Sequence, residues 1–153
     1  VTRVTTCVEL RGVVLDEFPK CTAVIMAPVV SDYRPVDFVQ KKIKHGKSLI
    51  ELRLQPNPDI LKEIGARKNG KMLVGFAAET EELLANAEKK LKEKNLDMIV
   101  ANNVSEAGAG FDVDTNVATI LDCNGAVRSL PLMTKDELAE QIFDHLLALK
   151  NKH

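Results

Sequence analysis

Charge of one sign, long hydrophobic runs, paired cysteines and a dinucleotide-type glycine loop are what this sequence lacks. Its 21 lysines and arginines face 22 acidic residues, a net charge of -1, so overall charge suggests neither nucleic acid nor an anionic membrane. Any anion site is therefore local. No apolar stretch approaches the roughly 18 residues that span a bilayer. The opening VTRVTTCVEL also lacks the charged-then-apolar layout of a signal peptide, which makes a cytoplasmic location the expectation. Cys7, Cys21 and Cys123 are odd in number, widely spaced and without a CxxC, which argues against a disulfide framework or a zinc site and for reduced packing residues. His45, His145 and His153 share no metal-ligand spacing, and no metal ligand is assigned. The glycines at 108 and 110 follow VSEA and lead into FDVDTN rather than a helix, which removes the support for a nicotinamide-dependent dehydrogenase.

What is present reads as one domain over residues 1–153, with hydrophobic content, 45%, suited to a normal core. Residues 6–18 carry Val8, Leu10, Val13, Val14 and Phe18 behind Thr6, the pattern of a capped amphipathic helix. TAVIM, MLVGF at 72–76 and DMIVA at 97–101 are short and almost wholly apolar, the signature of strands covered on both faces in a parallel sheet. TEELLANAEKKLKEK predicts a helix between the last two, with Thr80 as cap, Glu81 and Glu82 in its first turn, and Leu84, Ala87 and Leu91 on its apolar side. Asn124-Gly125 predicts a two-residue hairpin turn, and Thr134 with Glu137 predicts the capping box of a closing helix. The fold class is α/β: a Rossmann-like three-layer domain with a mainly parallel sheet, a long flap and a C-terminal β-hairpin plus helix.

Residues 29–57 fit neither period well and read as the excursion that contains the flap, about residues 33–55, with SLIELRLQ as an exposed strand. In open α/β sheets ligands settle beyond the carboxyl ends of the strands. Here those ends run into APVVSDYRP, AAET and NNVSEAGAG. Asp32 suits a ribose or amide, and Lys42 on the flap suits a phosphate. Lys90 and Lys94, four apart on a helix, share a face and can touch one polyphosphate. Pro58 and Asp59 open a helix over ILKEIGARK, whose first N–H groups are free for an anion. Each feature also has a plain reading: solvated lysines, an aspartate that forms a turn, a routine cap, and Asn102-Asn103 satisfying loop backbone.

Taken in order, VSDYRP, KKIK, NPDIL, GFAAET, Lys90 with Lys94, ANNV, and GF followed by Asn116 resemble the phosphopantothenoylcysteine synthetase domain of coenzyme A biosynthesis, from about Val4 to the final helix. In its bacterial form this domain is commonly fused behind a flavin-dependent decarboxylase, so FMN would belong to that other domain. The resemblance implies CTP-dependent ligation of phosphopantothenate with L-cysteine. It implies Lys42 as the catalytic cation, and nucleotide contacts at Met26, Ala27, Pro28, Asp32, Lys42, Pro58, Asp59, Ile60, Leu61, Phe76, Lys90 and Lys94. Substrate contacts are implied at Pro28, Val29 and Asp32. Magnesium would arrive on the nucleotide, and the flap would complete a neighbouring site in a homodimer. No nucleic-acid or membrane partner is implied.

Two departures stand out. Pro28 and Val29 replace small alanines, and Pro28 removes an N–H donor. The glycine-rich segment that opens the family's domain has no counterpart, so the expectation is an N-terminally incomplete domain. The alternative reading is a non-catalytic nucleotide-binding or dimerisation fragment.

Overall fold

Helix α1 (Cys7–Glu17) begins where two residues satisfy each other's backbone: Thr6 Oγ1 accepts from the Glu9 N–H at 3.2 Å, and Glu9 Oε2 accepts from the Thr6 N–H at 3.1 Å. The computed structural model describes residues 1–28, 30–37, 41, 49–79, 83–103 and 113–151, except for the side chains of Glu79 and Asn103. After α1 and a single 3-10 turn come β1 (Ala23–Met26), β2 (Tyr33–Pro35), β3 (Leu54–Pro56), α2 (Ile60–Gly65) and β4 (Met72–Glu79). They are followed by α3 (Leu83–Glu93), β5 (Met98–Asn103), β6 (Thr115–Asp122), β7 (Val127–Thr134) and α4 (Lys135–Lys150).

The main sheet has the order β1-β4-β5-β6-β7. β1, β4 and β5 are parallel, and β6 runs antiparallel to both its neighbours, so four of the five strands point one way. Alternate side chains feed two cores. Leu73, Ile99 and Ala101 pack with α2 and α3 on one face, and half-buried residues of α1 join them there. Val74, Met98, Val100 and Ile120 pack on the other face with Leu138, Ile142 and Leu146 of α4. This makes three layers and explains why the central strands read as continuous apolar runs. Pro131 lies in the edge strand β7, beside a register shift between the pairs at Asn116 and Ala118, where a missing N–H is tolerated.

Several expectations need correction. The apolar side of α3 is led by Leu83, which packs on the core, whereas Leu84 is 48% exposed. Val8 of α1 is likewise exposed, and Leu15 takes a place in the core contact. The helix over ILKEIGARK is shorter than expected and ends at Gly65. Strand β3 begins only at Leu54, so the alternation at Leu49, Glu51 and Arg53 forms no strand. Cys123 is exposed rather than packed. The Thr80 cap with Glu81 and Glu82 lies outside the described residues.

The hairpin turn also differs from the two-residue form. Asp122 N–H donates to the Ala126 carbonyl and Gly125 N–H to the Asp122 carbonyl, with only Gly125 at positive φ. A three-residue loop closed by a left-handed glycine has this pattern. The Asp122 side chain holds it: Oδ1 accepts from the N–H groups of Asn124 and Ala126, and Oδ2 lies 2.9 Å from His145 Nε2 on α4. Burial pushes this carboxyl up, but the His145 contact and the two backbone N–H groups outweigh it, and the net shift is below the ordinary 3.8.

Because the folded value is depressed, the stabilisation is full above about pH 3.8 and fades as pH falls through the lower folded value. Asp122→Ala removes the buried acceptor that holds the Asn124 and Ala126 N–H groups and His145 and should cost about 2–3 kcal/mol, or about 5–10 °C in Tm for a chain of this size. Thermal melts of both proteins from neutral to strongly acidic pH should show that gap closing in acid. A gap independent of pH would contradict this account of the turn.

Candidate functional site

The carboxyl ends of β1, β4 and β5 open into a cleft of about 810 Å³. Met26, Ala27, Pro28, Asp32, Pro58, Asp59, Ile60, Leu61, Phe76, Lys90 and Lys94 all line it. Val29 and Lys42 lie outside the described residues, as does nearly all of KKIKHGK. Met26, Ile60 and Leu61 are buried in the helix-side core, so Ile60 and Leu61 offer a ligand mainly backbone. Asp32 is exposed.

Two loops far apart in sequence are fastened together at the rim. The Asn57 N–H donates to the Asp32 carbonyl at 2.7 Å, and Asn57 Nδ2 donates to the Ser31 carbonyl at 2.7 Å. Arg34 Nη1 donates to Asn57 Oδ1 and to the Pro56 carbonyl, both at 2.9 Å, across the antiparallel β2–β3 ribbon. Residues 31–35, SDYRP, therefore leave the main sheet and are clamped to Asn57 at the start of NPD. Asn57 and Arg34, which sequence reasoning quoted within motifs but gave no role, hold Asp32 in place beside the α2 cap.

Asp59 does two things. Its Oδ1 accepts from the Lys62 N–H at 3.1 Å, capping α2, and its Oδ2 pairs with Lys94 Nζ at 3.1 Å. The backbone at Lys94 is fixed separately by close packing of the two helices: a Cβ on Gly65 would stand 2.0 Å from the Lys94 carbonyl oxygen. Asn95, at φ 53, ends α3 and donates its Nδ2 to the Gly65 carbonyl at 2.9 Å. The Lys94 side chain thus runs back along α2 to the acid that caps it. An anion here gains the half-buried ammonium of Lys94 but must share it with Asp59. Lys90 is half-buried on the same wall.

The opposite half of the cleft lies on the α4 face. Phe76 belongs there, away from the two lysines, because strand alternation sets it with Val74. Asn102, Asn116 and Lys135 join Leu138 and Ile142 in this half. Sequence reasoning gave Asn102 only a loop role, quoted Asn116 only within the resemblance, and missed Lys135. Signals existed: asparagine is depleted in strands, and a lysine at a helix start opposes the dipole. Among the described residues, no group of three or more His, Cys, Asp or Glu side chains could hold a metal ion. A smaller hollow of about 420 Å³ between α3 and the hairpin contains none of the predicted site residues.

The chain is 40% identical over 142 residues to a cysteine/cysteine sulfinic acid decarboxylase from an unknown prokaryotic organism, covering 92% of this chain and 40% of that protein. It is also 40% identical over 144 residues to the coenzyme A biosynthesis bifunctional protein CoaBC of Bacillus subtilis (strain 168), covering 94% and 36%. The chain thus spans 40% or less of the length of these two relatives. The crystal structure of the C-terminal domain of a CoaBC protein superposes with TM-score 0.77 at 32% identity, covering 98% of this chain and 66% of that one. A DNA/pantothenate metabolism flavoprotein from Streptococcus pneumoniae gives 0.78 at 22% identity, over 96% and 72%, which supports the fold alone. Residues 1–149 match the family described as the DNA/pantothenate metabolism flavoprotein C-terminal domain, and the chain belongs to that family.

Proposed function

We propose that this domain takes part in coenzyme A biosynthesis by ligating phosphopantothenate to L-cysteine at the expense of CTP. The observation that carries the reading is the single cleft around which Asp32, the α2 cap, Lys90 and Lys94 converge. The kinship to CoaBC proteins supports the pathway. The relatives' names divide between a decarboxylase and a bifunctional protein, so neither name transfers by itself.

In this reading the carboxylate of phosphopantothenate attacks the α-phosphate of CTP, pyrophosphate leaves, and an acyl-cytidylate forms. The amine of cysteine then attacks the acyl carbon and expels CMP, giving the amide. Lys90 and Lys94 clasp the triphosphate, Asp32 holds the ribose, and backbone at Pro58–Leu61 with Phe76 borders the base. Pro28, Val29 and Asp32 meet the substrate. Magnesium, bound by the phosphates, neutralises part of their charge. Charge accumulates on phosphate in the first step and on the acyl oxygen in the second, so a cation delivered by the flap, Lys42, serves both.

A non-catalytic nucleotide-binding or dimerisation role is the second reading, favoured by the large apolar side chains that Leu49, Ile50, Leu52 and Leu54 leave exposed. The two separate on Lys42. Lys42→Gln should leave the fold intact and slow acyl-cytidylate formation or breakdown by about a hundredfold, the cost of one preorganised donor, about 3 kcal/mol. Pyrophosphate release dependent on phosphopantothenate measures the first step. Normal turnover by the variant would remove Lys42 from the mechanism.

A homodimer is part of the proposal. Tyr33, Leu49, Ile50, Leu52 and Leu54 all expose large apolar side chains along or beside the β2–β3 ribbon, and Leu49 is fully exposed. Sedimentation at micromolar concentration should give twice the chain mass of 16.9 kDa. Leu52→Glu with Leu54→Glu should return the monomer. A monomeric wild-type protein would contradict the assembly.

A further inference from the structure

Lys94 carries one of the cations of the α3 wall, and its ammonium is already engaged: Nζ stands 3.1 Å from Asp59 Oδ2. The two partners are held very differently. Asp59 is built into the start of α2, where Oδ1 accepts from the Lys62 N–H at 3.1 Å and the carbonyl accepts from the Glu63 N–H at 3.0 Å. That corner is braced from α1. Cys7 Sγ donates to the Pro58 carbonyl at 3.8 Å, and Arg11 makes a two-pronged pair with Glu63 at 2.6 and 2.7 Å. Lys94 is fixed at its backbone, by its N–H bond to the Lys90 carbonyl and by the close approach of Gly65. Its four-carbon stem can swing.

A fixed acid facing a mobile base has a direct consequence. An anion entering the cleft can take Lys94 only by drawing the ammonium off Asp59, and the carboxylate cannot follow. Oδ2 then loses its cation while negative charge arrives beside it. The side chains of Lys94 and Asp59 are 26% and 40% exposed, so their attraction is less screened than that of a pair on the open surface. Capping α2 does not require the charge, because asparagine and serine cap a helix about as well as aspartate. Beyond a small gain at the helix dipole, what the charge adds is a pull on Lys94 that opposes any anion.

In the ligase reading, a triphosphate enters this corner and pyrophosphate leaves it. The leaving group keeps much of the charge on which the lysines act, so a site that only attracted polyphosphate would retain its product. We propose that Asp59 is a positioning residue for release: it competes with the phosphate oxygens for Lys94 and takes the ammonium back as pyrophosphate departs. This rests on the ligase reading and gives the Asp59 side chain a role opposed to anion binding, while the backbone beside it borders the base.

The test is calorimetric titration of the 153-residue chain with magnesium pyrophosphate and, separately, with magnesium-CTP, for wild type, Asp59→Asn, Lys94→Ala and the double variant. Asp59→Asn should bind pyrophosphate about fivefold tighter, the upper range for a partly exposed ion pair, with Tm held because the cap is kept. The gain should vanish when Lys94→Ala is added. If Asp59→Asn does not fold, Asp59→Ser, which also keeps a capping oxygen without the charge, gives the same comparison. Pyrophosphate affinity unchanged or weakened in the variant overturns the proposal and, with CTP still bound, leaves the nucleotide reading standing. A gain that persists without Lys94 also overturns it, since that marks general repulsion rather than competition for one ammonium. Pyrophosphate binding tightened through Lys94 in a chain that does not bind CTP supports the release role and removes the nucleotide reading instead. Binding of neither ligand by any of the four proteins overturns both.

Discussion

The pairing of Lys94 with Asp59 is the interaction on which the site depends. One carboxylate caps α2 and holds the ammonium that faces the cleft, each at 3.1 Å, so the helix start and the cation cannot move independently. Gly65 makes the arrangement possible, because no larger residue fits against the Lys94 carbonyl. The clamp from Asn57 to Ser31 and Asp32 then carries the same rigid corner over to the strand β1 rim. A surface pair of this kind adds little to stability. Its consequence is positional: it keeps opposite charges close until an anion arrives to compete.

The sheet supplies the rest by register. β1, β4 and β5 are parallel, so their carboxyl ends share one edge, and both faces are buried, so the strands are stiff. The cleft sits beyond that edge, and its two walls inherit the chemistry of the helices on the two faces. A helix-side wall with lysines and an α4-side wall with carboxamides are separate environments reached from one mouth.

Much of this was legible in the sequence, for identifiable reasons. Doubly covered strands betray themselves as unbroken apolar runs, and the Thr6 and Thr134 boxes follow from spacing alone. The lysine pair was visible as a four-residue repeat on one helix face. Pairwise geometry was not: that Lys94 leans on Asp59, or that Arg34 reaches Asn57, is set by packing between segments far apart in sequence. Leu83 replaced Leu84 because the helix phase is fixed by the core rather than by composition. The hairpin misled because Asn-Gly suits two turn types, and the Asp122 carboxylate, braced by His145, selects the longer one. Asn102 went unweighted because a polar residue at a strand end has an ordinary loop explanation until its burial is known.

Whether the strand-end cleft holds a nucleotide on these lysines is decided by calorimetric titration of the chain with magnesium-CTP beside ATP and NAD, repeated on a Lys90→Ala, Lys94→Ala double variant. Saturable CTP binding that the double variant loses while its melting temperature holds is the expected result. Binding that survives removal of both lysines, or its absence for every nucleotide, would contradict it.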